Sequence, residues 1–237
     1  MVKKPARRFR CSKSESTRSL PPLIALQCHQ ALARIEPDNP IHLTNICGFL
    51  TNTDPHVRSF AISMLGGFGE RARVHGPDVL ACIRDTNSGV RSSAAHALGK
   101  IGYDTDAAIA ALIDVLKEDV EREARRSAAG ALGIFGSKAK RAVPALVAAV
   151  DAEGGWWIAV DAIARIDGID ALPILIELVD YPEDGVRSTA VRHLGELGPA
   201  AKSALPALRR RLADERPYIG KAAAKAIQKI ESASSSP

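Results

Sequence analysis

Val90, Ala94, Leu98 and Ile101 are apolar at three- and four-residue steps, the spacing that collects side chains on one face of an α-helix. Val57, Ala61, Leu65 and Phe68 repeat that face one period earlier. Between such stretches lie shorter aliphatic runs that open with Pro144, Pro173 or Pro206. Proline suits a first helical turn, where its missing N–H would have had no intrahelical partner. The pattern therefore predicts pairs of helices, a first helix opening in proline and a second built on the four-position apolar face. The second helix carries a recurrent phrase: Val57-Arg58 runs to Gly69, Val90-Arg91 to Gly102, Ala124-Arg125 to Gly136 and Val186-Arg187 to Gly198, each closing Leu-Gly-x-x-Gly. The repeat arginines are 33, 34 and then 62 residues apart, the last interval spanning one degenerate copy. A period of that size marks stacked supersecondary units, none of which buries its apolar face alone.

Extending the register places seven second helices starting near residues 22, 55, 88, 122, 155, 185 and 217, with six first helices between them. Gly99 and Gly195, inside the helix ends, allow a neighbouring hairpin to approach, while Gly102 and Gly198 supply the positive-φ cap. Asp54, Asp85, Asp184 and Asp214 stand in the turns before second helices, placed to cap them or to pair with the repeat arginine a few residues later, and the arginines Arg58, Arg91, Arg125 and Arg187 beside such loop acids are expected to form an internal fork-to-carboxylate ladder along the stack. The expected fold class is all-α, an α-solenoid. One continuous array spans 20–231, preceded by a disordered basic arm, 1–19, and followed by a disordered tail, 232–237.

Charge sharpens this picture. The net charge is +5, yet residues 1–18 alone carry +6 and residues from 199 onward carry +5, leaving 19–198 at −6. An acidic middle disfavours nucleic acid along most of the array and leaves only the arm and the last repeats attractive to it. Cys11, Cys28, Cys47 and Cys82 form no Cys-x-x-Cys pair, and the last three fall within helical patterns, which fits a reducing, cytoplasmic location. A zinc site from Cys28, His29, His42 and Cys47 matches no established spacing, so neither metal nor cofactor is expected. The run Leu20-Pro-Pro-Leu-Ile-Ala-Leu26 is too short and too proline-rich for a secretory signal, and no apolar stretch reaches membrane-spanning length.

The aspartate-to-Val-Arg turn and the Ala-x-x-x-Leu-Gly-x-Ile-Gly helix, in multiple copies over residues 22–231, resemble HEAT repeats of the small bacterial type found in phycobilisome lyases. The resemblance implies a superhelical stack of antiparallel helix pairs. Functions in that family range over scaffolds, lyase subunits, hydroxylases and DNA repair enzymes, so function has to be read from surface residues. The His-Glu pairs that hold two irons in HEAT-type hydroxylases are missing. Trp-Trp-x-x-Val-Asp over 156–161 is similar to a segment of HEAT-like alkylpurine DNA glycosylases, which would make Trp157 an aromatic wall and Asp161 an electrostatic carboxylate.

In such stacks the second helices usually line the concave side, and register alignment gives their non-core columns. One column holds Ser59, Ser92, Arg126, Trp157, Ser188 and Lys221; a second Ser63, His96, Gly130, Asp161, Arg192 and Lys225; a third Gly67, Lys100, Ile134, Arg165, Glu196 and Lys229. Positive charge gathers toward the C-terminal end, where Arg209, Arg210 and Arg211 add to it. Both tryptophans fall in the degenerate repeat, with Trp156 in the repeat-arginine slot and Trp157 in a partner-facing column, and tryptophan is enriched at binding hot spots. The expected activity is non-enzymatic: a scaffold or adaptor binding a protein through Trp157, Asp161, Arg165, Arg192, Lys221, Lys225 and Lys229. Nucleic-acid binding through the basic ends is the alternative, and a lyase-like or glycosylase-like enzyme the remoter one.

Overall fold

In the computed structural model the described residues are 20–152 and 156–232. They form α1 (Pro22–Ile35), α2 (Ile41–Cys47), α3 (Pro55–Gly67), α4 (Gly76–Ala81), α5 (Ser88–Lys100), α6 (Asp106–Glu118), α7 (Arg122–Phe135), α8 (Val143–Ala152), α9 (Trp157–Asp167), α10 (Leu172–Leu178), α11 (Asp184–Leu197), α12 (Leu205–Arg210) and α13 (Pro217–Ser232), joined largely by short 3-10 turns, with no strand among the described residues. The odd-numbered helices are the second helices of the repeats and the even-numbered ones the first. The expected N-terminal arm and the residues beyond 232 lie outside the described residues. Ser232, expected in the tail, instead closes α13, and the helix expected near 155 begins at Trp157.

The apolar face found in the sequence is the core: Val57, Leu65, Val90, Leu98, Leu132, Ile163 and Leu194 are buried along one axis, met by Leu112, Leu146 and Leu175 from the first helices. Second helices pack directly on second helices because the glycine of one faces an alanine of the next. A Cβ added at Gly66 would lie 3.2 Å from Ala97, at Gly99 3.1 Å from Ala131, at Gly133 3.0 Å from Ala162 and at Gly195 2.9 Å from Ala226. These contacts bring one layer close, while the short first helices touch each other little. Gly102 and Gly198 adopt φ of 66° and 57° where the chain leaves α5 and α11, a backbone region that side chains with a Cβ resist.

Polar side chains staple the same junctions. Arg58 donates to both carboxylate oxygens of Asp85 (2.8 and 2.7 Å), Arg91 to both of Asp119 (2.6 and 2.8 Å) and Arg187 to both of Asp214 (3.1 and 3.2 Å). The third guanidinium nitrogen of each donates to carbonyls of its own turn, as Arg58 does to Asn52 and Thr53 at 2.8 and 3.1 Å. For these three the pairing is the expected ladder along the stack: each arginine takes the acid of the following repeat, 27 or 28 residues on, because its side chain points along the stack. Asp54 serves only as a cap, accepting the His56 N–H at 2.9 Å, and Asp184 sits inside α11, where it faces Arg216 at 3.3 Å. A second charged row follows the turns after the positive-φ glycines. Asp104 accepts from Arg73 at 2.7 Å and from Lys138, and Lys140 donates to Asp170 at 2.8 Å.

Hydrogen bonding to Arg91 holds the Asp119 carboxyl below its usual range, and the staple is largely sealed from solvent. Replacing Asp119→Ala leaves the Arg91 guanidinium buried without its carboxylate and is expected to lower stability by about 3 kcal/mol in urea denaturation; a loss below about 1 kcal/mol would rule out a structural role for the staple. Asp104, held at about 2 by Lys138 and Arg73, gives a second test. Its folded-state pKa is depressed, so its contribution is complete above the unfolded value near 4 and fades as pH falls toward 2. The Tm of Asp104→Asn should therefore fall less steeply across that acid window than that of the parent.

Candidate functional site

The Gly-on-Ala contact is absent at two junctions: α1 and α3 bring Ala33 and Met64 to these positions, and α9 and α11 depart from it as well. In register, the glycine of α9 is Ala164 and the alanine of α11 is His193. Two larger side chains meet where four other junctions have small ones, and α9 touches α11 over a smaller area than α5 touches α7 or α11 touches α13. A cleft of about 390 Å³ opens there, lined by Asp161, Arg165, Leu175, Arg192, His193 and Glu196 among others.

A closed ion network fills one wall of this cleft. Asp161 accepts from Arg165 Nε at 2.8 Å, from Arg192 Nη2 at 2.8 Å and stands 3.0 Å from His193 Nε2. Glu196 accepts from Arg192 Nη1 at 3.0 Å and faces His193 Nδ1 at 3.0 Å. Burial opposes ionisation of Asp161, but the hydrogen bonds from Arg192 and His193 and the charge of Arg165 outweigh it and hold the carboxyl below its usual range. Two guanidinium groups thus face two carboxylates, and the His193 ring stands between both acids. The side chains lining the cleft include no hydroxyl or thiol to act as a nucleophile.

A second groove, about 450 Å³, lies between α11 and α13 and shares Arg192 and Glu196 with the first. Lys225 and Lys229 line it beside Tyr218, Ser188 and Thr189. Lys221, Lys225 and Lys229 follow one another at four-residue steps, so they share a face of α13; all three are exposed and have no carboxylate partner among the described residues. The cationic strip expected from the sequence thus divides in two: Arg165 and Arg192 are neutralised within the protein, and the three lysines are not.

The tryptophans divide as well. Trp156 is 5% exposed at the N-terminus of α9, with the guanidinium carbons of Arg122 and Arg125 at 5.7 and 5.8 Å from its ring centroid. It occupies the repeat-arginine slot as a packing residue and gives Arg125 an aromatic face. Trp157 is 47% exposed, lies over Gly185 of α11 and has Arg126 at 5.9 Å from its ring. It lines a cavity of about 430 Å³ with Glu121, Glu123 and Arg126, separate from the cleft that holds Asp161. Trp157 and Asp161 therefore do not face one pocket, as an aromatic wall and a carboxylate around a single base would. His193 was absent from the sequence expectations, although a histidine in a column otherwise filled by Met64, Ala97, Ala131, Ala162 and Ala226 was the signal that could have revealed it.

A stack of antiparallel helix pairs without strands among the described residues defines the class as an all-α solenoid. The chain belongs to the HEAT-repeat family, whose profile matches residues 43–133, 77–158, 109–188 and 182–237. No protein of curated function matches the sequence. Similar solved structures share the fold. An engineered protein has 22% identity and a TM-score of 0.55 over 80% of this chain and 96% of its own. The complex of CpcE and CpcF of phycocyanin lyase from Nostoc sp. has 20% identity and a TM-score of 0.54 over 96% of this chain and 82% of that one. The archaeal HEAT-like repeats protein from Thermococcus onnurineus has 18% identity and a TM-score of 0.52 over 82% of each chain. No described helix is long and apolar enough to cross a membrane.

Removing Arg192 deprives Asp161 of its strongest hydrogen bond, so in Arg192→Ala the Asp161 carboxyl should titrate at higher pH than in the parent. Carboxyl-carbon NMR resolves this directly; an unmoved midpoint would mean that the network does not set the charge of the cleft.

Proposed function

We propose that this protein is a non-enzymatic scaffold that holds an acidic segment of another protein against its inner, second-helix surface between α9 and α13. The observation that carries the reading is the row of Lys221, Lys225 and Lys229, exposed and unpaired beside an open groove, in a chain whose other repeat cations are mostly tied into internal ion pairs. Three cations without partners attract carboxylates, and the groove beside them offers Tyr218 and the backs of α11 and α13 as apolar contact. Arg165, Arg192 and Asp161 form the adjoining wall, whose balanced charge selects by shape and hydrogen bonding. Trp157, at the start of α9, supplies an aromatic anchor at the far end of the same surface. Membership of a family of stacked helical hairpins, and a similar fold found in a complex of two named chains, support association with another protein. Three free thiols, Cys28, Cys47 and Cys82, fit a reducing cytoplasm.

The test is recovery of partners from native lysate by the intact chain and by a Trp157→Ala, Lys221→Glu, Lys225→Glu variant, each with and without nuclease. A nuclease-resistant protein recovered by the parent and reduced roughly tenfold or more in the variant is the expected result, since two reversed charges and a lost anchor remove well over 1.4 kcal/mol. Recovery that vanishes with nuclease would transfer the surface to nucleic acid, and equal recovery by both forms would remove the function from this face.

A further inference from the structure

At the opposite end of the array, three ligand-type side chains converge from two consecutive hairpins. Cys47 closes α2, His75 stands immediately before α4, and Asp78 lies in the first turn of α4. Cys47 Sγ is 3.2 Å from Asp78 Oδ2, His75 Nδ1 is 3.8 Å from the same oxygen, and the three ligand atoms all lie within 4.8 Å of one another. An ion bound tetrahedrally, at about 2.3 Å from sulfur and about 2.0 Å from nitrogen and oxygen, sets its ligand atoms roughly 3.3 to 3.7 Å apart. Two of the three edges therefore already have nearly that length.

We propose that Cys47, His75 and Asp78 form a binding site for a divalent transition-metal ion of the zinc type, clamping the first two hairpins together. The chemistry of the donor set favours that class. Thiolate and imidazole select borderline ions such as Zn²⁺ and Co²⁺ over Mg²⁺ and Ca²⁺, which prefer oxygen alone. Placement favours it too. The His75 ring is largely buried, and the exposed Asp78 carboxylate already lies close to both other ligand atoms, so a small approach of Cys47 and His75 completes the set. The fourth position is open to water. Without an ion the Cys47 thiol donates to Asp78, and burial together with that carboxylate pushes the thiol up to about 12. The ion replaces the shared proton: Cys47 Sγ loses its hydrogen to solvent as the metal–sulfur bond forms, and Asp78 exchanges its bond to the thiol for one to the metal. This site differs from a combination of Cys28, His29, His42 and Cys47, since it recruits two ligands of the second hairpin and only Cys47 of the first.

Co²⁺ titrated into the intact chain under a non-thiol reductant provides the test. The expected result is a near-ultraviolet thiolate-to-cobalt absorption with visible bands of a tetrahedral ion, displaced by Zn²⁺, retained in Cys11→Ser and Cys28→Ser and lost in Cys47→Ser. Asp78→Asn, at an exposed position that leaves the fold undisturbed, should weaken binding at least tenfold, and Zn²⁺ should raise the Tm of the parent but not of either ligand variant. Absence of the thiolate band in the parent, or its persistence in Cys47→Ser, would overturn the proposal.

Discussion

The structure depends on one steric constraint, the close approach of successive second helices through glycine facing alanine. Four junctions satisfy it with Cβ-to-neighbour spacings near 3 Å, which leaves no room for another methyl group. The layer of second helices is thereby packed more closely than the layer of first helices. The arginine staples work within this constraint. They reach the next turn's carboxylate only because the helices bearing them are held at a constant spacing.

Where the constraint lapses, the chemistry changes character. Ala164 and His193 hold α9 and α11 apart, and the space admits five ionisable groups that a tighter junction would exclude. One junction earlier, the Arg125 guanidinium lies over the indole of Trp156. These departures fall in adjacent repeats, next to the half-exposed Trp157 and upstream of the free lysines of α13. Binding surfaces in repeat arrays are commonly written in such deviations, because the regular positions are committed to stacking.

Much of the fold was legible because each residue of the repeat is constrained several times over. The apolar face of Val90, Ala94, Leu98 and Ile101 and the phrase ending in Gly102 predicted a helix, its burial and its cap, and six of the seven expected second-helix starts lie within one residue of those observed. The staples were legible too, since an arginine at each helix start beside a loop acid repeats along the array; what the structure adds is that Arg58 passes over Asp54, four residues away, for Asp85, 27 residues on. Pairing also decided the candidate surface: the sequence placed Arg165, Arg192 and the lysines in neighbouring columns, but a column does not reveal that Asp161 and Glu196 neutralise the arginines. The convergence of Cys47 with His75 and Asp78 was hidden for the same reason, since it depends on how two first helices splay.

The open junction also changes how the molecule transmits motion. Stapled and interdigitated hairpins resist bending, whereas α9 and α11 meet over a reduced area through polar side chains that can exchange partners. A rotation at that junction would be magnified along the arm that carries α13, sweeping its row of lysines across an arc.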